Sequence, residues 1–437
     1  MNNARNIAVA MALAWAALAT PPAGAETLRA ALAAAWRGNP QIRVERARQD
    51  ARVEKIEQAK GGWRPRVDVK ATATAGVKAV TPDPAGTLSG GYANYNVTFN
   101  VGQSIYDGGR TRASVDSARA GAAAGRYSVL LAEQKVLLDA VNAYMDVVRD
   151  TRIVAMRARN IRVLKGQLRA ARARLQAGEI TRTGVAQARA ALAKARADYA
   201  QARAALAASK ARYRQAIGHA PSRLRFPRHP PRLPRTLTAA LRRAGRHHPQ
   251  TLAAAWKYEA AGHGVEAARA AMRPRLSLQG QLGYNGSGQY GLTASGFSGV
   301  DIRLLGVLEV PLYQGGVARS ALREAAHNAR AASLSIATAR RAVRQQVVGA
   351  WNNHLALNDM ISAAIAQVRA AKLALDGVQA EYKAGTRTTQ DVLNARQALL
   401  SARVNLVTAR ASRVKAAYAL LAAIGDLTAR RLHLSRR

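Results

Sequence analysis

The chain is written twice. Leu28 to Pro40 (LRAALAAAWRGNP) returns as Leu237 to Pro249 (LTAALRRAGRHHP), and Pro65 returns as Pro274, 209 positions later. Tyr106-Asp107-Gly108-Gly109 returns as Tyr313-Gln314-Gly315-Gly316, Gly178 as Gly385, Thr181 as Thr388 and Ile217-Gly218 as Ile424-Gly425, all 207 positions later. The change of offset places a two-residue gain or loss between Pro65 and Gly108, and surface loops absorb such changes. A duplication of this length demands a fold of two equivalent halves.

Each half opens with two helical stretches, Glu26 to Gly38 and Gln41 to Gly61 in the first. Asn39-Pro40 breaks them, and His248-Pro249 makes the same break in the second half. Proline lacks a donor and pushes the residue before it out of helical space. The period then changes to two. Val67, Val69, Ala71, Ala73, Ala75 and Val77 alternate with Asp68, Lys70, Thr72, Thr74 and Gly76. After a Pro/Gly loop, Tyr95, Val97, Phe99 and Val101 alternate with Asn94, Asn96, Thr98 and Asn100. In the second half Leu276, Leu278, Leu282 and Tyr284 alternate with Ser277, Gln279 and Gln281. Past a Gly/Ser-rich loop, Val300, Ile302, Leu304, Leu308, Val310 and Leu312 share one face. The alternation predicts strands over 66–78, 93–106, 275–285 and 300–313.

Roughly 9–11 tilted residues cross a hydrocarbon core, so each strand is long enough. One side is apolar and the other Asn-, Thr- and Gln-rich, as a lipid-facing wall around a wet lumen requires. The interior of a sandwich gives the same alternation. Four strands cannot close a barrel, and open edges are not tolerated in lipid. Membrane-spanning strands would therefore oblige several chains to share one barrel.

Gly109 to Ala177 holds no proline and could form a helix of about 100 Å. A second helix runs from Thr183 to Ile217 with a seam at Val185, Leu192, Tyr199, Leu206 and Tyr213, and Ala188, Ala195, Ala202, Ser209 and Ala216 three positions after each. The copy reads Val392, Leu399, Leu406 and Leu420 with Ala395, Ala402, Ala409, Ala416 and Ala423, with Arg413 the exception. A sustained seven-residue repeat means coiled-coil packing, and small seam residues let helix axes come close.

The first 25 residues read as a secretory leader: Arg5, an apolar run from Ile7 to Ala19, and Ala23-Gly24-Ala25 before a mature start at Glu26. The expected organisation is a leader at 1–25, a first repeat at 26–218, a Pro-rich linker at 219–235, a second repeat at 236–425 and a basic tail at 426–437. There is no cysteine, which excludes disulfides, thiolate metal sites and an acyl anchor at the mature N-terminus. Net charge is +42, and +41 once the single charge of Arg5 leaves with the leader. In a cytosolic chain this balance would suggest nucleic acid; the leader argues for no nucleic-acid partner. The excess Arg either fills solvated helix faces or meets anionic lipid or cargo, and some wall of any tunnel is expected to be basic.

No phosphate loop, HExxH or nucleophile elbow occurs. The eight His are scattered, and the adjacent pair His247-His248 sits at a helix break where neighbours point apart. Acidic residues are sparse and form no acid–base pair. The chain reads as no enzyme, with no metal and no cofactor.

Taken in order and duplicated, these motifs resemble the TolC family of outer-membrane efflux and secretion channels. The residues that carry the resemblance are Asn39-Pro40, Trp63-Arg64-Pro65, the two Tyr-x-Gly-Gly turns, and above all the run from Tyr382 through Gly385, Arg387 and Asp391 to Leu393. The resemblance implies a mainly α fold with membrane β: long coiled-coil helices forming a periplasmic α-barrel, and four strands per chain in a 12-stranded barrel shared by a homotrimer. It implies a periplasmic adaptor (membrane fusion) protein and an inner-membrane RND or ABC transporter as partners, outer-membrane lipid around the strands, and export of small molecules or proteins through a tripartite pump or a type I secretion system. At the periplasmic mouth it makes Tyr382 and Arg387 linking residues and Asp391 the first acidic ring. Asn394 stands at the second ring, which is uncharged here, and Gly184 stands where the first half would supply a carboxylate for Arg387, leaving the Thr183 hydroxyl or carbonyls as acceptors. A secreted coiled-coil structural or adaptor protein without a channel is the alternative; it accounts for the helices but not for a strand pair at the same point of both halves.

Overall fold

The structure, a computed structural model, describes residues 26–80, 88–227, 231–290 and 295–434; the expected leader lies outside the described residues. The elements run α1 (Leu28–Gly38), α2 (Pro40–Lys60), β1 (Arg66–Val80), β2 (Leu88–Tyr106), α3 (Arg110–Gln176), α4 (Arg182–Ile217), α5 (Leu237–His247), α6 (Pro249–Ala270), β3 (Arg275–Tyr290), β4 (Ser295–Glu309), α7 (Val317–Lys383) and α8 (Thr389–Ala423). The mainly helical architecture with four strands is the one the periodicity predicts. Two compact units emerge, one from 47–127 and 252–339, the other from residues up to 46, 128–251 and from 340 onward.

The first unit holds one antiparallel sheet in the order β1-β2-β3-β4. Pairing of β2 with β3 joins the two halves. Its register sets Val69, Phe99, Leu282 and Ile302 on one rung, and these side chains are 65%, 41%, 45% and 80% exposed. An apolar face this open is not the interior of a sandwich. The opposite face carries a polar ladder. Asn100 Nδ2 donates to Asp68 Oδ2 at 3.0 Å, Asn96 Nδ2 to Asn285 Oδ1, and Asn285 Nδ2 to Asp301 Oδ1 at 3.2 Å, while Arg303 Nε meets Asp301 Oδ2 at 2.8 Å.

The strands differ in extent from the periodic pattern. β3 continues through Gly286–Tyr290, which the sequence suggests is loop, because the Tyr95 ring fills the space a β-carbon at Gly286 would take. β4 ends at Glu309, short of Val310 and Leu312, because Pro311 cannot donate to a ladder.

In the second unit the seven-residue seams are buried as the repeat requires. Leu192, Ala188 and Ala195 pack with Leu164 and Leu168 of α3 and with Leu393 of α8. Ser209, one of the small seam residues, donates to the buried Asp150 Oδ2 at 2.5 Å. The hydroxyl of Tyr144, a fully buried residue, lies 2.9 Å from the Glu26 carbonyl and 2.7 Å from the Arg225 carbonyl, so the segment before α1 and the Pro-rich connection are tied to the core through one hydroxyl. The segment after Gly425 is less free than its basic composition suggests: Leu427, Ala429 and Leu434 are buried, and the Ala429 amide donates to Glu133 Oε1 at 2.7 Å.

The helix breaks repeat down to single bonds. Asn39 Oδ1 accepts from the Gln41 amide at 2.9 Å, and His248 Nδ1 accepts from the Gln250 amide at 3.2 Å. Each side chain thus caps the helix begun by its proline. Burial lowers the His248 pKa below its ordinary 6.5, partly offset by a bond to the Ala422 backbone. The neutral ring must keep Nδ1 free as an acceptor, and protonation destroys it. Because the folded pKa lies below the unfolded one, this stabilisation is complete above about pH 6.5 and is lost as pH falls through the folded value. His248→Asn, which copies Asn39, is expected to reduce the acid-induced loss of stability below pH 6.5 in denaturant unfolding curves. Equal slopes for both proteins would contradict it.

Candidate functional site

The residues expected at the mouth lie at two helix turns, α3–α4 and α7–α8. Both turns close with the same hydrogen bonds. Glu179 N donates to Arg174 O at 2.9 Å and Gly178 N to Leu175 O at 3.1 Å; Thr386 N donates to Glu381 O at 3.0 Å and Gly385 N to Tyr382 O at 3.2 Å. This pattern needs a left-handed residue just past the helix, and Gly178 and Gly385 supply it at φ +78° and +81°.

Beyond the glycines the two turns diverge. Thr388 caps α8 and Asp391 completes a capping box: the Asp391 amide donates to Thr388 Oγ1 at 3.3 Å, and Asp391 Oδ2 accepts from Thr388 N at 3.0 Å and Oγ1 at 2.8 Å. The Thr388 amide, its hydroxyl and then Arg387 hold the Asp391 carboxyl below the usual carboxylate range, so it stays ionised near neutrality. In the first half Gly184 stands at the copy position of Asp391, and Thr181 makes no side-chain cap bond.

Arg387 Nε meets Glu381 Oε2 at 2.7 Å. Its carboxylate partner is therefore on its own turn, a residue the sequence reading passed over while looking for one near Thr183, which is exposed. The Tyr382 hydroxyl lies 3.2 Å from Thr389 Oγ1. Asn394 accepts from Gln390 at 2.9 Å and lines a groove of about 300 Å³ with Gln187, Lys194, Arg396 and Gln397. The structure thus brings Tyr382, Arg387 and Asp391 to one turn, with Asn394 on the next turn of α8. A β-carbon at Gly184 would lie 3.8 Å from Thr389 Oγ1, which places the start of α4 beside the start of α8. Among the described residues no group of His, Asp and Glu could hold a metal ion.

The expected basic wall is not on the polar face of the sheet. Among its described side chains Arg66, Lys70, Arg275 and Arg303 are set against Asp68, Asp301 and Glu309, which is close to balance. The excess sits on helices, where Arg182, Arg189, Arg196, Arg203 and Lys210 form an exposed seven-spaced row on α4.

The outer membrane efflux protein family matches the sequence over residues 31–219 and 240–426, one segment in each half. The chain belongs to this family. The outer membrane efflux protein BepC of Brucella suis is 33% identical over 433 residues, covering 98% of this chain and 91% of BepC. TolC of Escherichia coli is 30% identical over 174 residues, 38% of this chain and 35% of TolC. The solved structure of the outer membrane protein VceC from Vibrio cholerae has a TM-score of 0.73 at 22% identity, over 91% of this chain and 96% of VceC, so the fold is shared. Membership makes this an outer-membrane protein extending into the periplasm, and its relatives are channel proteins, not enzymes.

The asymmetry between the turns is testable. Asp391→Gly gives the second half the residue of the first. It is expected to raise amide hydrogen exchange several-fold across the first turn of α8, with Gly385 and the α7 end unaffected. Unchanged exchange would mean that the capping box does not hold this turn.

Proposed function

We propose that the chain is the exit duct of an export machine. Three copies join their four-stranded sheets edge to edge into a twelve-stranded barrel in the outer membrane, and the long helices form a tunnel through the periplasm. An inner-membrane RND or ABC transporter loads the tunnel, and a periplasmic adaptor joins the two. The cargo is a small molecule in a tripartite efflux pump or a protein in type I secretion, and the energy comes from the transporter.

One observation carries the reading: a sheet with an exposed apolar face and two outer edges, at β1 and β4, that end the hydrogen-bonded order. In lipid every backbone group must be paired, so each β1 requires the β4 of another copy. The height also fits. Tyr95 and Tyr106 sit on β2, about 36 Å apart along the strand and about 25 Å apart in height at a 45° tilt, the spacing of aromatic girdles about an apolar band. Detergent-extracted protein is therefore expected to be trimeric by native mass spectrometry, and a stable monomer would contradict this.

The two helix turns form the constricted entrance of the tunnel in this reading. Tyr382 and Arg387 restrain it, Thr183 and Gly184 form the facing side, and three copies of Asp391 make one acidic ring followed by an uncharged ring of Asn394. A ring of ionised carboxylates at a neck attracts cations. In planar bilayers Asp391→Ala is expected to lower block by multivalent cations, and Arg387→Ser with Tyr382→Phe to raise conductance modestly. Unchanged block and conductance would show that the entrance does not close at these residues.

A further inference from the structure

The two helix turns are joined within one chain by a contact that the duplication does not repeat. The guanidinium carbon of Arg174 stands 5.1 Å from the centroid of the Tyr382 ring. Arg174 is the copy of Glu381, so the charge at this point of the helix is reversed between the halves. Each turn closes an ion pair of its own, with opposite polarity: Arg174 Nε lies 3.6 Å from Glu179 Oε2, and Glu381 Oε2 lies 2.7 Å from Arg387 Nε. Arg174 does both, pairing on its own turn while its guanidinium stands over the aromatic ring of the other.

Gly184 explains why such a contact is needed. A β-carbon there would lie 3.5 Å from Ile180 Cδ1 and 3.8 Å from Thr389 Oγ1, and the Thr389 hydroxyl meets Tyr382. No carboxylate can reach Tyr382 from that position. A guanidinium over a ring needs neither a carboxylate nor the ring's hydroxyl. The contact also continues the packing behind it, where Leu393 of α8 joins Leu164 and Leu168 of α3.

We propose that Arg174 is a positioning residue of the entrance, latching the α3–α4 turn to the α7–α8 turn through the face of Tyr382. This rests on the entrance reading above. An exposed cation–π contact is worth about a two- to five-fold shift in an equilibrium, so the latch biases the closed entrance without locking it.

The test uses the purified full-length channel with 3-fluorotyrosine placed at position 382, read by fluorine NMR in detergent and by single-channel recording in planar bilayers. Arg174→Gln is expected to move the fluorine resonance and to raise open probability about two- to five-fold. Tyr382→Leu should raise it more than Tyr382→Phe, which keeps the ring. Arg174→Gln combined with Tyr382→Leu should not exceed Tyr382→Leu alone. A resonance that Arg174→Gln leaves in place overturns the latch. A resonance that moves while Arg174→Gln, Tyr382→Leu and Arg387→Ser all leave the recordings unchanged overturns the entrance reading and leaves the contact standing.

Discussion

The constraint on which the rest depends is the apolar face of the sheet. Val69, Phe99, Leu282 and Ile302 lie on one rung and none is covered within the chain. Burying a Val, Leu, Ile or Phe side chain is worth about 1.5–3 kcal/mol, so leaving rung after rung in water would forgo most of the stabilisation that could offset the ordering of a sheet of this size. The face must meet an apolar medium, and an outer-membrane protein has one. The polar ladder on the other face follows from the same alternation: what faces lipid on one side leaves Asp68, Asn100, Asn285 and Asp301 to hydrogen-bond one another on the other.

The helical unit solves a different problem with the same duplicated parts. Long helices without proline are held along small-residue seams, and each ends at a left-handed glycine that recurs in the copy, Gly178 with Gly385 and Gly218 with Gly425. At these kept glycines the left-handed backbone requires the residue. Where the two copies part, as at Gly184 and Asp391 or Arg174 and Glu381, the backbone is the same and the chemistry of the turn changes. Function is to be sought in those differences.

Much of this was legible in the sequence because periodicity and punctuation are local. The helix breaks, the coiled-coil seams and the four strands follow from spacing. The strand ends did not, since Gly286 to Tyr290 looks like loop until the ring of Tyr95 is known to lie over it. His248 read as half of a stray histidine pair; comparison with Asn39 would have shown it to be a cap. At the turns, the resemblance to the family points to Tyr382, Arg387 and Asp391 but not to their partners. Glu381, Thr389 and Arg174 contact them through helix geometry and through the approach of two segments some two hundred residues apart, which no spacing rule encodes.

The central claim, that one face of the strands meets lipid and the other water, can be read directly because the chain has no cysteine. Single cysteines placed in turn at 300 through 305 along β4, in protein reconstituted into vesicles, would be challenged with a membrane-impermeant thiol reagent from both sides. The account predicts labelling at the positions of Asp301 and Arg303 and protection at those of Val300, Ile302 and Leu304. Uniform labelling along the strand, or protection at the polar positions with labelling at the apolar ones, would contradict it.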